Sequence, residues 1–391
     1  MKKSRTQFIL FALTFLYFVA NGQKLADENF RYHYDPESEI SLRWNPFKKG
    51  TQMNVNWEVS KAPLSDNGGY LLQWEKRKSY AEAEGTTIKV DTLSPISSSR
   101  WSGNLLVDVT KEPWLLVAKI VRRADEKTWL YAQVIEESFP VNGYISGNTG
   151  MVVSRFVNID QPYKLHGNVS NDSLFVYHYR QSFPSAFPPY TEATIGSDPL
   201  LLHDSTFVVT SEASINFKEE GLYLAQTDTL AAEGFSFRVE RTPYPRYNRI
   251  GDLVPPLIFI ATRDEYTALE KVNGDKAAFD KIILSITKDK DRARRFMRSY
   301  YQRVEQANQY FTSFKEGWKT DRGMIYVIFG SPDQVRISNQ REIWYYQDSR
   351  TNFVFVKKGS IYDPNYYVLD RDVKFTELWY STIDLWRKAR F

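Results

Sequence analysis

Cysteine is missing from all 391 residues. Its absence excludes disulfides, thiolate metal centres and export as a lipoprotein, which needs a lipidated cysteine at the cleavage point, so stability has to come from packed cores. Histidine is scarce: His33, His166, His178 and His203 stand far apart, with none of the close ligand spacings such as HExxH. No G-x-S-x-G elbow is present, and in the nearest string, Gly143-Tyr144-Ile145-Ser146-Gly147, the serine is misplaced. Ser285-Ile286-Thr287-Lys288 matches S-x-x-K but lacks the SDN and KTG companions. Phosphate-loop and dinucleotide fingerprints are also missing. The acids Glu136-Glu137 and Glu219-Glu220 do not make a glycosidase pair, because neighbours on a strand point to opposite faces. Asp289 and Asp291 resemble the start of a calcium loop, but the oxygen series fails at Arg292, and they suit a helix N-terminus better. The expectation is a chain with no catalytic residues, no metal and no cofactor.

A long hydrophobic run is lacking except at the start, where Lys2, Lys3 and Arg5 precede the thirteen apolar-rich residues Phe8 to Ala20. Thirteen is short for a bilayer span, and the small residues Ala20 and Gly22 suit a signal-peptidase cut. Residues 1–22 therefore read as a signal peptide, with Gln23 the first mature residue, and the protein as exported. Removing the three leader cations lowers the formal charge from +4 to +1, which argues against nucleic acid as a partner. The remaining charge is uneven: residues 23–262 carry 24 basic and 29 acidic side chains (net −5), residues 263–391 carry 24 and 18 (net +6). The basic part could face the acidic part or an acidic surface.

Aromatics are plentiful, with 10 Trp, 25 Tyr and 25 Phe. From about Ser41 to Phe139, seven short runs (ISLRW, QMNVNWEV, YLLQWEKR, TTIKVDT, NLLVDV, WLLVAKIV, TWLYAQVI) are separated by turn residues such as Ser65 to Gly69 and Ala124 to Lys127. This spacing predicts an antiparallel β-sandwich over 23–145. Of Trp44, Trp57, Trp74, Trp101, Trp114 and Trp129, most should be buried and at most two should face solvent. After the glycine-bearing link Asn142 to Gly147, the runs MVVSRF, SLFVYHYR, STFVVT, SINF, GLYLAQTD and FSFRVE predict a second sandwich over 146–240. Both sandwiches are expected to be Ig/FN3-like. The loop Phe183 to Pro189, FPSAFPP, is stiff and apolar enough to be a contact site. Four prolines within Arg241 to Pro256 mark 241–262 as a Pro-rich linker.

Beyond the linker the period changes, and 263–391 is expected to be an α+β domain. Short helices are predicted over 263–272 and 275–287, broken at Asn273-Gly274, and a longer one over 289–314. In the long helix Phe296, Met297, Tyr300, Tyr301, Val304, Ala307, Phe311 and Phe314 form an apolar stripe, flanked by Arg292, Arg294, Arg295, Arg298 and Arg303. MIYVIF, EIWYY, NFVFVKK and YYVLD read as strands and 375–388 as a final helix. The whole chain thus reads as multidomain and mainly β.

Glu316 to Asp333, EGWKTDRGMIYVIFGSPD, is the most informative stretch. Gly317 is placed to end the preceding helix, Trp318 offers a large apolar body with one indole donor, and Thr320 and Asp321 can shape a turn. Arg322 can pair with a carboxylate, and Gly323 frees the chain to enter the strand MIYVIF. Gly317, Trp318, Thr320 and Asp321 spell the motif of the GWxTD domain, and this stretch resembles that family over roughly the last third of the chain. The resemblance implies an extracytoplasmic bacterial protein and brings no established activity with it.

Two readings of the motif stand open: Gly317, Thr320 and Gly323 as fold-specifying turn residues, and Trp318, Asp321 and Arg322 as an exposed recognition cluster. The function expected is that of a non-enzymatic envelope protein, periplasmic or on the cell surface, which docks a protein partner. The alternatives are a carbohydrate-binding protein using exposed aromatics on glycan, and a hydrolase joining Asp321, Arg322 and a histidine in one cleft.

Overall fold

The computed structural model describes residues 23–62, 69–93, 99–148, 150–168, 173–192 and 201–390. The predicted leader 1–22 and residues 65–68 of the predicted loop Ser65 to Gly69 lie outside them. The architecture is mainly β, with several antiparallel sheets and a C-terminal helical region. Two short 3-10 turns, Leu25–Asp27 and Phe30–His33, come first. Seven strands follow, β1 (Ile40–Lys49), β2 (Gln52–Lys61), β3 (Tyr70–Arg77), β4 (Thr86–Leu93), β5 (Arg100–Asp108), β6 (Trp114–Arg122) and β7 (Thr128–Ile135). They form two antiparallel sheets, β1-β2-β5 and β4-β3-β6-β7, and each corresponds to one of the seven predicted runs. The inner faces meet through Trp57 and Trp74. Trp57, Trp74, Trp114 and Trp129 are buried, while Trp44 and Trp101 are half-buried.

Strand β6 explains its own composition. Trp114, Leu116, Ala118 and Ile120 face the interior between the two sheets, whereas Leu115 and Val117 face the C-terminal core. A strand covered on both sides reads as a continuous apolar run rather than an alternation. The first pair of sheets is therefore laid against the C-terminal region through its outer face.

The second group comprises β8 (Tyr144–Gly147), β9 (Gly150–Met151), β10 (Phe156–Asn158), β11 (Pro162–His166), β12 (Ser173–Tyr179), β13 (Ser205–Thr210), β14 (Ser214–Asn216), β15 (Gly221–Gln226) and β16 (Phe235–Glu240). These make the sheets β10-β16-β15-β12-β13 and β14-β11-β8-β9. The predicted glycine-bearing link contains β8, and β11 was not foreseen. Of the predicted run MVVSRF only its first residue, Met151, ends β9, and its last, Phe156, begins β10. The β10–β16 pair runs parallel, unlike the antiparallel pairing expected throughout.

Residues 241–262 differ most from expectation. This segment contains α1 (Ile250–Leu253) and a 3-10 turn, Pro255–Phe259, with cis peptides at Thr242-Pro243 and Tyr244-Pro245. Tyr244, Leu257, Phe259 and Ile260 are buried. The segment is strapped along α4 (Lys290–Phe311): Asn308 Nδ2 donates to the Pro245 carbonyl at 3.0 Å and the Tyr300 hydroxyl to that of Pro256 at 2.6 Å. Proline count alone does not distinguish an irregular linker from such a packed strap, because both lack regular backbone pairing.

The remaining helices are α2 (Arg263–Glu270), α3 (Lys276–Thr287), α5 (Asp321–Phe329) and α6 (Thr376–Arg387), and β17 (Gln334–Ile337), β18 (Arg341–Tyr346), β19 (Thr351–Lys357) and β20 (Tyr367–Leu369) form one antiparallel sheet. The break at Asn273-Gly274 has both residues at positive φ. Asp289 caps α4, accepting from the backbone N–H of Asp291 and Arg292 at 3.0 and 2.9 Å, and the stripe residues Phe296, Tyr300, Val304, Ala307 and Phe311 are buried. Helix α4 stops at Phe311, so Phe314 lies beyond it. Arg303 leaves the predicted basic flank: it donates to the Ile328 carbonyl at 3.0 Å and lies over the Trp386 ring.

MIYVIF is helical, not a strand. Thr320 starts α5 as its N-cap, and Gly330, at φ +85°, follows its end. Residues 323–328 are all buried among the α4, β20 and α6 neighbours, and a helix apolar on every side belongs in a core. A short apolar run of this kind has no periodicity to separate strand from helix.

Because 241–262 is core rather than linker, Leu257→Ala should destabilise the protein by about 2–5 kcal/mol, the range for emptying a buried leucine site. Urea unfolding checks this; a free linker would give a change near zero.

Candidate functional site

The motif residues lie where α4 turns back into α5. Gly317 opens a 3-10 turn, Gly317–Lys319, that presses on α4; a Cβ there would sit 2.0 Å from the Ala307 carbonyl oxygen and 2.6 Å from the Asn308 Cα. Glycine is needed for this close approach, and Gly317 does not terminate α4 as expected. Gly323 stands inside the first turn of α5 rather than at a strand start, and a Cβ on it would fall 1.8 Å from the Gly317 carbonyl oxygen. Thr320 joins the two: its hydroxyl donates to the Gly317 carbonyl at 2.7 Å and accepts from the Gly323 N–H at 3.0 Å. An N-cap threonine of this kind contributes about 1 kcal/mol.

Trp318 is 2% exposed. Its backbone N–H donates to Asn308 Oδ1 at 3.1 Å and its indole N–H to the Tyr247 hydroxyl at 3.1 Å. Asn308 thus ties the motif to α4 and, through the Pro245 carbonyl, to the proline-rich strap. Trp318 anchors the strap from inside and presents no face to solvent.

Asp321 is 1% exposed. Its carboxylate accepts from the Leu369 N–H at 2.7 Å and pairs with the Arg371 guanidinium at 2.6 Å, and Arg371 donates onward to the Phe187 carbonyl at 3.1 Å. With a backbone donor and a guanidinium on its two oxygens, Asp321 is saturated. Removing one member of such a buried pair strands the other, typically at about 3–5 kcal/mol.

Arg322 turns the opposite way. It pairs with Glu342 at 3.2 Å, donates to the Tyr34 hydroxyl and the Asn365 carbonyl, each at 3.2 Å, and lies over the Tyr367 ring at 4.4 Å. Glu342 also accepts from the Trp344 indole at 2.6 Å. Asp321 and Arg322 are not partners of each other. Arg322 binds the N-terminal turn to the C-terminal sheet, a contact between residues almost three hundred positions apart that spacing could not reveal. Of the three recognition residues proposed from the sequence, two are buried, and Arg322, half-buried, lines a recess between the first sheets and the C-terminal sheet.

Sequence reasoning missed the charges around the motif. Glu316 lies beside Arg238 of β16 (3.6 Å) and pairs with Lys319 (2.9 Å), and Arg238 is bound to Glu240 at 2.5 Å. Lys319 reaches the Ser182 hydroxyl at 3.0 Å, and Lys315 donates to the Pro184 carbonyl at 3.2 Å. The backbone adds Ala186 N–H to the Lys319 carbonyl at 2.9 Å. The loop Phe183 to Pro189 is thus bolted to the motif turn. The lysines on either side of Gly317-Trp318 were a usable signal, since Lys residues flanking a tryptophan turn need acceptors once buried. Burial holds the Lys315 amine down to about 8.

The histidines do not gather into a site. His33 is half-buried with Nε2 at 3.0 Å from the Leu130 carbonyl, and desolvation lowers it to about 4. His178 lies on β12, stacked on Tyr223 with Nε2 at 3.0 Å from the Glu220 carbonyl. Ser146 Oγ and His166 Nε2 are 2.7 Å apart on the paired strands β8 and β11, but the Glu212 carboxylate stands 3.9 Å from the other ring nitrogen, beyond hydrogen-bond reach. Ser285 donates to the Ile282 carbonyl on α3. Among the described residues, no group of three or more His, Asp and Glu is placed to hold a metal ion.

Residues 221–388 match the family model of the GWxTD domain, so the C-terminal part of this chain is a GWxTD domain. The match begins at β15, taking in the last two strands of the second group of sheets. No curated protein matches the sequence. Solved structures with slight similarity include β-glucosidase from Kluyveromyces marxianus in complex with glucose, 9% identical over 25% of this chain and 14% of that one, TM-score 0.18. Trypsin-activated α-2-macroglobulin from Escherichia coli is 11% identical over 52% of this chain and 16% of its own length, TM-score 0.18. Red sea bream transglutaminase is 12% identical over 52% and 31%, TM-score 0.20. The chain thus spans less than a third of each of these proteins.

Two measurements test the site. Gly317→Ala should destabilise the fold by at least about 1–3 kcal/mol through overpacking against α4, measured by urea unfolding. Lys315→Met should change the pH dependence of stability. Between about 8 and the ordinary lysine value of 10.5 the unfolded chain holds a proton on Lys315 that the folded chain has released, so stability should rise with pH there. Unfolding measured across that window should lose this rise in the variant.

Proposed function

We propose that this is an exported envelope protein with no enzymatic role, in which two Ig/FN3-like β-sandwich units and the GWxTD domain form one module that docks an envelope protein partner. The basic leader residues Lys2, Lys3 and Arg5 before Phe8 to Ala20 support export to the periplasm or cell surface. No helix among the described residues is long and apolar enough to cross a membrane.

One observation carries the docking reading. Phe187 of the FPSAFPP loop, Val373 and Tyr380 are 49%, 66% and 56% exposed, and they belong to a single surface. Arg371 holds the Phe187 carbonyl, the Asp372 N–H donates to the Pro189 carbonyl at 3.0 Å, and Tyr190 meets Tyr380 hydroxyl to hydroxyl at 2.8 Å. Aromatic groups exposed on a stiff support lose little conformational entropy on binding, which suits a protein contact. In this reading the motif does not touch the partner. Asp321, through Arg371, positions the loop that does.

Affinity capture from envelope extracts, read by mass spectrometry, tests this reading. A partner retained by the wild-type chain should be lost by the Phe187→Asp, Tyr380→Asp double variant, with its melting temperature unchanged. If the double variant folds and keeps every partner, the docking surface lies elsewhere.

A further inference from the structure

A different part of the molecule has the chemistry of a small-ligand site. Between the outer face of β6-β7 and the sheet β17-β18-β19-β20 lies a chamber of about 290 Å³, reached by Arg322 and Glu342 from the C-terminal side and lined also by Tyr80, Tyr367 and Trp44. A second recess of about 480 Å³ adjoins it and is lined by Glu136, Gln340 and Ser360. Val134, Asn339 and Lys357 line both, so the two form one interdomain cleft. Its size falls within the roughly 300–1,000 Å³ of ligand pockets, and junctions between domains are where such pockets concentrate.

The polar groups in this cleft are largely uncommitted. Among the described residues, the hydroxyls of Tyr80 and Tyr367, the side-chain amides of Asn339 and Asn365 and the Lys357 amine have no hydrogen-bond or ion-pair partner within the protein. Arg322 and Glu342 neutralise each other at the inner end. Among the described residues, Lys357 is then the one unpaired cation of the inner chamber; burial pushes its amine below the usual lysine range, and the carboxylates of Glu136, in the outer recess, and Asp363 pull it back. Tyrosines and a tryptophan combined with amides and hydroxyls suit a sugar ring, which offers apolar C–H faces and a rim of hydroxyls. An unmatched ammonium among them suits a carboxylate on that ring.

We propose that this cleft binds an acidic saccharide, its carboxylate on Lys357, its ring among Tyr80, Tyr367 and Trp44, and its continuing chain in the outer recess beside Glu136. This is a ligand site separate from the Phe187 and Tyr380 surface, and the two stand or fall independently.

Titration calorimetry of the purified full chain with trigalacturonate, and with maltotriose and sodium acetate as comparison ligands, tests the proposal. Trigalacturonate should bind at least about tenfold more tightly than maltotriose, and Lys357→Met should weaken it by about tenfold, as expected for losing one charge-assisted hydrogen bond. Lys357→Arg should retain binding, and Glu136→Gln should strengthen it by removing a like charge. Quenching of tryptophan emission, with Trp44 in the chamber wall, should follow the same order. Equal affinity for the neutral trisaccharide, absence of saturable trigalacturonate binding, or unchanged affinity in a folded Lys357→Met variant would each overturn it.

Discussion

The ion pair between Asp321 and Arg371 is the contact on which the rest of the C-terminal architecture converges. One carboxylate receives the backbone N–H of Leu369 and the guanidinium of Arg371, and Arg371 continues to the carbonyl of Phe187. The first turn of α5, the end of β20 and the proline-rich loop of the second group of sheets are thereby fixed to one another. Two charges are removed from water here, and the arrangement is tolerable because the carboxylate's partners are in place. Its stability and its geometry are therefore coupled. Anything that moves the loop also unpairs a buried charge.

The neighbouring Arg322 does the same work in the other direction. Its contacts with Glu342, Tyr34 and Asn365 draw the N-terminal turns onto the C-terminal sheet, and the outer face of β6 follows with Leu115 and Val117. Consecutive residues of the motif thus anchor opposite sides of the molecule. The protein is built around a turn whose polar groups are spent on holding neighbours together.

Much of this fold was legible. The seven runs between Ser41 and Phe139 became seven strands because alternation and turn chemistry act locally, and the capping role of Asp289 and the aromatic stripe of α4 followed for the same reason. The illegible parts share a cause. MIYVIF and the proline strap are each covered on more than one side, and enclosure erases the polar half of a pattern. At Gly317 and Gly323 the structure has close backbone approaches, where a Cβ would fall 2.0 and 1.8 Å from a carbonyl oxygen, rather than the helix stop and strand start expected from the sequence.

The candidate site was less legible still. That Trp318, Asp321 and Arg322 matter could be read from their types; that they face inward could not, since their partners Tyr247, Arg371 and Glu342 lie from 20 to 71 positions away. By itself the sequence determined the local elements, the absence of thiol chemistry and the membership of its C-terminal part in a family, because these depend on neighbouring residues or on composition. Tertiary structure alone decided which side chains reach solvent and which charges meet. Burial and ion pairing are set by the packing of segments brought together from distant parts of the chain, and no short stretch of sequence contains that information.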